Sequence, residues 1–146
     1  MRSTVLVCLA LLASGQVFAQ APAAAAAPAV APYKVVFDLT SQDPLDHKAL
    51  IRWIKEISSA NPRSDIEVVM YAKGVELVTQ TKTTLAAEVK EAMALPRVTF
   101  KVCGTALKNQ GIDKAQLLPK VEIVPDGIGE IVARQKDGWG YIKVMH

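Results

Sequence analysis

Cys103 ends an alternating run, Val98-Thr-Phe-Lys-Val-Cys103, and a glycine follows it. Val98, Phe100 and Val102 alternate, and β-branched residues dominate, which predicts a buried strand. Gly104 permits a sharp turn. Thr105 is placed to cap a short helix and Gly111 to end it. A cysteine just ahead of a helix N-terminus meets free N–H groups and the positive end of the dipole, which favour a thiolate. The alternative is an inert core cysteine, since a free thiol packs as a small hydrophobe. The strand-end position favours the reactive reading, because open α/β sheets place their ligands there.

Parallel topology would gather further groups on the same edge. Lys73 and Gly74 follow the second strand, Gly104 and Thr105 the third, and Asp126 and Gly127 the fourth. These six are the candidate substrate-binding residues around Cys103, and Asp38, Thr40, Ser41 and Tyr71 belong to the same edge. A nearby ammonium such as that of Lys73 favours a thiolate. Asp38 or Asp126 would orient a partner or simply cap a helix. Gly127 and Gly129 stand near a turn, but the full G-x-G-x-x-G phosphate pattern is absent. The two histidines, His47 and His146, have no motif partner, so a Cys–His protease and other hydrolases lack a base. No Cys/His cluster has metal-ligand spacing, and neither a metal nor a cofactor is expected.

The elements that must position these groups follow from periodicity. Tyr33 to Leu39 reads as a central strand. Asp43-Pro44 opens a helix whose inward face is Leu45, Ala49, Leu50, Trp53, Ile54 and Ile57, and Asn61-Pro62 ends it. Ile66 to Tyr71 is a second strand, followed by a turn at Ala72 to Gly74 and a helical turn from Val75 to Thr79. A helix from Thr84 to Leu95 turns Leu85, Val89, Ala92 and Met93 inward. After the Cys103 strand come a connector (Ile112 to Leu118), a strand at Val121 to Val124, and a helix to Gln135 with Ile128, Ile131 and Val132 inward. A short strand from Tyr141 to Val144 closes the series. Strands alternating with helices predict an α/β fold with a parallel sheet covered on both faces.

The chain has 146 residues, 51% of them hydrophobic, and a net charge of +3. That is enough for one domain with a real core. The charges are mixed, without a basic run, so nucleic-acid binding has no support. Met1-Arg2, the apolar stretch Val5 to Ala13 and Val17-Phe-Ala19 form the three parts of a secretory signal peptide over residues 1–19, with cleavage after Ala19 or, second, Ala21. Its apolar part is too short to span a bilayer, so no stable membrane insertion is expected after cleavage. Residues 20–32 are Ala, Pro and Val with one Gln, and read as a disordered linker. The domain occupies residues 33–146. Cleavage removes Cys8 and leaves Cys103 as the sole thiol of an exported, periplasmic protein.

Four stretches together resemble the exported, single-domain branch of the DsrE/DsrF-like family. They are Tyr33 to Leu39; Ile66 to Tyr71 with Gly74-Val-Glu-Leu77; Phe100-Lys-Val-Cys103-Gly; and the tail from Val124-Pro-Asp-Gly-Ile-Gly-Glu-Ile131 through Arg134-Gln135 to Gly138-Trp-Gly-Tyr-Ile-Lys143. The resemblance spans about Tyr33 to Val144. It implies a three-layer α/β/α fold with a five-stranded, mainly parallel sheet, and a homotrimer or homohexamer. In sulfur-oxidation members a cysteine at this strand end carries persulfide sulfur between partners, and Cys103 matches that position. The partner would be a thiol protein or a small sulfur compound. Relatives often have a His-Gly pair at the end of the second strand, where this chain has Tyr71-Ala72. The reading is therefore a periplasmic sulfur-handling protein that carries persulfide on Cys103. The alternative is a non-catalytic oligomeric module binding a ligand or a protein.

Overall fold

The structure, a computed structural model, describes residues 31–145; the expected signal peptide, nearly all of the linker and His146 lie outside the described residues. Strand β1 is Lys34–Leu39 and helix α1 is Pro44–Ala60; β2 is Asp65–Met70, followed by a 3₁₀ helix over Ala72–Val78 and α2 over Ala86–Ala94. Strand β3 is Val98–Cys103, α3 is Gly104–Gln110, β4 is Glu122–Val124, α4 is Gly127–Lys136 and β5 is Gly140–Lys143. All five strands form one sheet in the order β4-β3-β2-β1-β5, and every pairing is parallel. The expected α/β fold is the observed one.

Period two sorts the strand residues between two layers. Val35, Phe37 and Leu39, with Ile66, Val68 and Met70 and then Phe100 and Val102, face one layer and pack with residues of α1, α2 and α3. Each such fully buried side chain contributes about 1.5–3 kcal/mol relative to exposure. Asp43 caps α1 as expected, accepting from the Leu45 amide. The buried stripe of α1 runs through Leu50, Ile51 and Ile54, with Trp53 stacked on Phe37 at 6.1 Å. Leu45, expected inside, lies in the first turn and is 54% exposed. The four inward residues expected around α2 are all buried: Leu85, which is its N-cap, and Val89, Ala92 and Met93 within it.

The opposite layer is α4, and it is held differently. Only Val36, Val69 and Ile131 form its buried apolar cluster. Beside them the sheet presents Glu67 and Lys101. The Lys101 ammonium lies 3.0 Å from Glu67 and 2.7 Å from Glu130 of α4, and Arg134 reaches both carboxylates. Arg134 also lies over the Trp139 ring. Burial pushes the Glu67 carboxyl up. Burial also acts on Glu130, but hydrogen bonds from Lys101 and Arg134 outweigh it and hold that carboxyl down at about 2. Ion pairs therefore fix which face of α4 meets the sheet. Ile128 and Val132, expected inside, turn outward, with Ile128 58% exposed.

Candidate functional site

The helices after β3 and β4 leave the sheet on opposite sides. Ala106 and Leu107 of α3 pack into the α1–α2 layer, whereas Ile131 of α4 packs on the other face. A crevice opens between strand ends where connections diverge in this way, and ligands of open α/β sheets bind in such crevices. The structure has a cavity of about 430 Å³ there. Its walls come from Tyr71, Ala72 and Lys73 after β2, from Cys103, Thr105, Ala106, Asn109 and Gln110 along β3–α3, and from Asp126 and Ile128 at the start of α4.

Cys103 is a buried free thiol, 5% exposed, on the cavity wall. It occupies the N-cap position of α3, the place expected for Thr105, and its side chain makes no capping bond. Thr105 falls two residues after that cap, in the first turn, where its hydroxyl donates to the Pro125 carbonyl and ties α3 to the β4–α4 turn. Gly111 ends α3 in the left-handed conformation, φ 63°, as expected. Asp126 caps α4 by accepting from the Ile128 and Gly129 amides, so its carboxylate is occupied. Lys73 lines the cavity with its ammonium 3.8 Å from Glu76.

The three candidate glycines leave room for neighbouring backbone and side chains. Gly74 is buried beneath the end of β1 and is not on the cavity wall: a Cβ there would lie 2.1 Å from the Leu39 carbonyl oxygen. A Cβ at Gly104 would meet the Val124 carbonyl at 3.3 Å. One at Gly127 would meet Cβ of Cys103 at 3.1 Å and Cβ of Tyr71 at 3.4 Å, so this glycine lets α4 close against the cysteine. Ala72 has φ 46°, left-handed backbone that costs an alanine about 1–2 kcal/mol.

A second cluster adjoins the cavity through Tyr71. The buried carboxylate of Asp38 accepts from the hydroxyls of Tyr71 (3.2 Å) and Tyr141 (2.7 Å) and from the Lys143 ammonium (3.1 Å), which also donates to Thr40. Lys143 lies 5.7 Å from the Tyr71 ring centroid. Ser41 accepts from the Asp43 amide, and its carbonyl bonds the buried His47 ring, so both residues are structural. The hydrogen bond to Asp38, with burial second, pushes the Tyr141 hydroxyl up to about 12. Burial and the Asp38 charge raise Tyr71 as well. A raised phenol favours folding fully below its unfolded value, about 10, and this contribution is lost as pH rises through the folded value. We expect Asp38→Asn to lower the Tyr141 titration from about 12 toward the free phenol range, with the part due to burial remaining, read from tyrosine ring NMR shifts. Identical Tyr141 titration in wild type and variant would contradict the assigned bond.

Sequence reasoning missed Ala106, Asn109 and Gln110. Their spacing after Cys103, at three, six and seven residues, is one helical face and carried the signal. Tyr141 and Lys143 were missed because nothing local to β5 says that it pairs with β1. Among the described residues, no group of three or more His, Cys, Asp or Glu side chains is arranged to hold a metal ion.

The chain matches the model of the DsrE/DsrF-like family over residues 34–144. A solved protein of unknown function from Methanobacterium thermoautotrophicum is similar at 32% identity and TM-score 0.72, over 76% of this chain and 98% of its own. A conserved protein of unknown function from Bacteroides thetaiotaomicron shares the fold at 16% identity and TM-score 0.64, over 76% of this chain and 94% of its own. The ychN protein of E. coli does so at 13% identity and TM-score 0.63, over 78% and 99%. No curated protein matches.

Proposed function

The chain belongs to the DsrE/DsrF-like family, which suggests a sulfur-related role, and from that premise we propose that it carries sulfane sulfur on Cys103. The observation that carries this reading is the thiol's place on the wall of the crevice between the ends of β3 and β4. The chemistry needs no metal or redox cofactor. The Cys103 thiolate attacks the outer sulfur of a donor R–S–S⁻, the donor's S–S bond breaks, and R–S⁻ leaves with the electron pair. An acceptor thiolate then attacks the outer sulfur of the Cys103 persulfide, and the Cys103 thiolate is the leaving group. Atoms and charge balance in both steps.

Periplasmic work and self-assembly belong to the same proposal. The charged, apolar and small-residue order of residues 1–19 supports export. Exposed Ile128, Val132, Tyr141 and Ile142 on α4 and β5 support a homo-oligomer. The burial of Cys103 favours a second reading, a ligand-binding module with an inert core thiol. Alkylation of the native chain with iodoacetamide separates the two. The carrier reading expects Cys103 to react without denaturant, at a rate within about tenfold of a free thiol of equal thiolate content. Reaction that begins only in denaturant would overturn it and leave the binding module.

A further inference from the structure

Tyr71 and Cys103 line the same crevice and start from neighbouring points on its wall. Gly127, the first residue of α4, lies against both. A Cβ built on it would stand 3.1 Å from Cys103 Cβ and 3.4 Å from both Cβ and Cδ1 of Tyr71. Tyr71 also packs against the cores of both layers, so its ring stands where the layers part. A second sulfur added to the thiol enters the space that this ring borders.

The ring's orientation suits such a sulfur. An aromatic ring is negative on its faces and positive at its edge. The Lys143 ammonium lies over the Tyr71 ring, 5.7 Å from its centroid, and so takes a face. Toward Gly127, and so toward the cysteine beside it, the ring turns Cδ1, an edge atom. The electropositive edge is therefore on the side of the thiol, and sulfur packs favourably at ring edges. The hydroxyl donates to Asp38 at 3.2 Å. Burial first, and then the Asp38 charge, raise this phenol above its usual range, so the ring stays uncharged and does not repel an anion. Asp38 on β1, Lys143 on β5 and Gly127 on α4 thus fix one ring from three elements.

We infer that the edge of the Tyr71 ring holds the outer sulfur when Cys103 carries it as a persulfide. This makes Tyr71 a contact residue for the bound sulfur, an inference that rests on the carrier reading. The ring takes no part in bond making: it stabilises the loaded state against the donor's own persulfide.

The test equilibrates the full chain with a fixed ratio of glutathione persulfide to glutathione and reads the loaded fraction of the Cys103 peptide by mass spectrometry. That fraction gives the constant for exchange of the outer sulfur between glutathione and Cys103. Tyr71→Leu, which removes the ring, is expected to shift the constant toward glutathione by about two- to tenfold. Tyr71→Phe keeps a neutral ring and is expected to stay closer to wild type than to the leucine variant. A ring with a structural role alone would leave the exchange constant of the folded chain unchanged. A change below about twofold in Tyr71→Leu, or an equal loss in Tyr71→Phe, would overturn the inference and leave the carrier reading intact. If Tyr71→Leu does not fold, the wild-type ring NMR signals decide. Sulfur loading is then expected to shift the Tyr71 signals and not those of Tyr33, and an unmoved Tyr71 ring would overturn the inference. No sulfur on Cys103 of the wild-type chain would overturn the carrier reading and this inference with it.

Discussion

Gly74→Ala is expected to destabilise the fold by about 3 kcal/mol or more, at the upper end of overpacking costs. The added Cβ would stand 2.1 Å from the carbonyl oxygen and 2.6 Å from the carbonyl carbon of Leu39. Neither atom is the end of a flexible side chain. Leu39 is the last residue of β1, a strand paired on both sides, and its carbonyl accepts from the Tyr71 amide. Relief therefore requires moving either the end of β1 or the 3₁₀ helix, and both flank the site. Denaturant unfolding measures the cost. A loss below about 1 kcal/mol, within the range of ordinary surface substitutions plus error, would contradict the packing described.

Cys103→Ser is expected to abolish sulfur loading while leaving the fold intact. Two terms oppose each other at this position. A hydroxyl replaces a buried thiol, at about 1–3 kcal/mol if it lacks a partner. But serine is a preferred N-cap, and α3 has no side-chain cap, so its hydroxyl can accept from the first-turn amides and return about 0.5–2 kcal/mol. The net change in stability is then small, within about 1–2 kcal/mol of zero. An alcohol forms no persulfide under these conditions, so loss of loading reports chemistry rather than unfolding. A folded variant that still transferred all the sulfur would place the chemistry elsewhere.

Local signals carried most of the architecture. Asp43-Pro44 marked the start of α1 because capping and the φ of proline act within one turn. The alternation leading to Cys103 marked β3 because one face of that strand is apolar throughout. The α4 helix shows where such reasoning stops. Its own apolar residues, Ile128, Ile131 and Val132, point to one buried face, yet only Ile131 is buried. What sets its orientation is Glu67 and Lys101 on the sheet, residues distant in sequence that pair with Glu130 and Arg134.

The site divided in the same way. Cys103, Lys73, Thr105 and Asp126 share a cavity wall because strand ends converge in a parallel sheet, which the element order already implied. Gly74 is a candidate contact only through topology, because its turn follows β2 on the same sheet edge; what adjoins it is backbone. Here the backbone that approaches is β1 itself. The Asp38 cluster depended on the register that sets Asp38 beside Lys143, a pairing across most of the domain. That register comes from tertiary packing and leaves no periodic trace.

Sulfur carriage on Cys103 is decided by the mass of the Cys103 peptide after the native chain is incubated with glutathione persulfide, freed of excess donor and digested. Whole sulfur atoms are expected at Cys103, removed by dithiothreitol and passed to an added thiol acceptor. An unmodified Cys103 in the native chain, under conditions where the denatured chain takes up sulfur at the same residue, would contradict it.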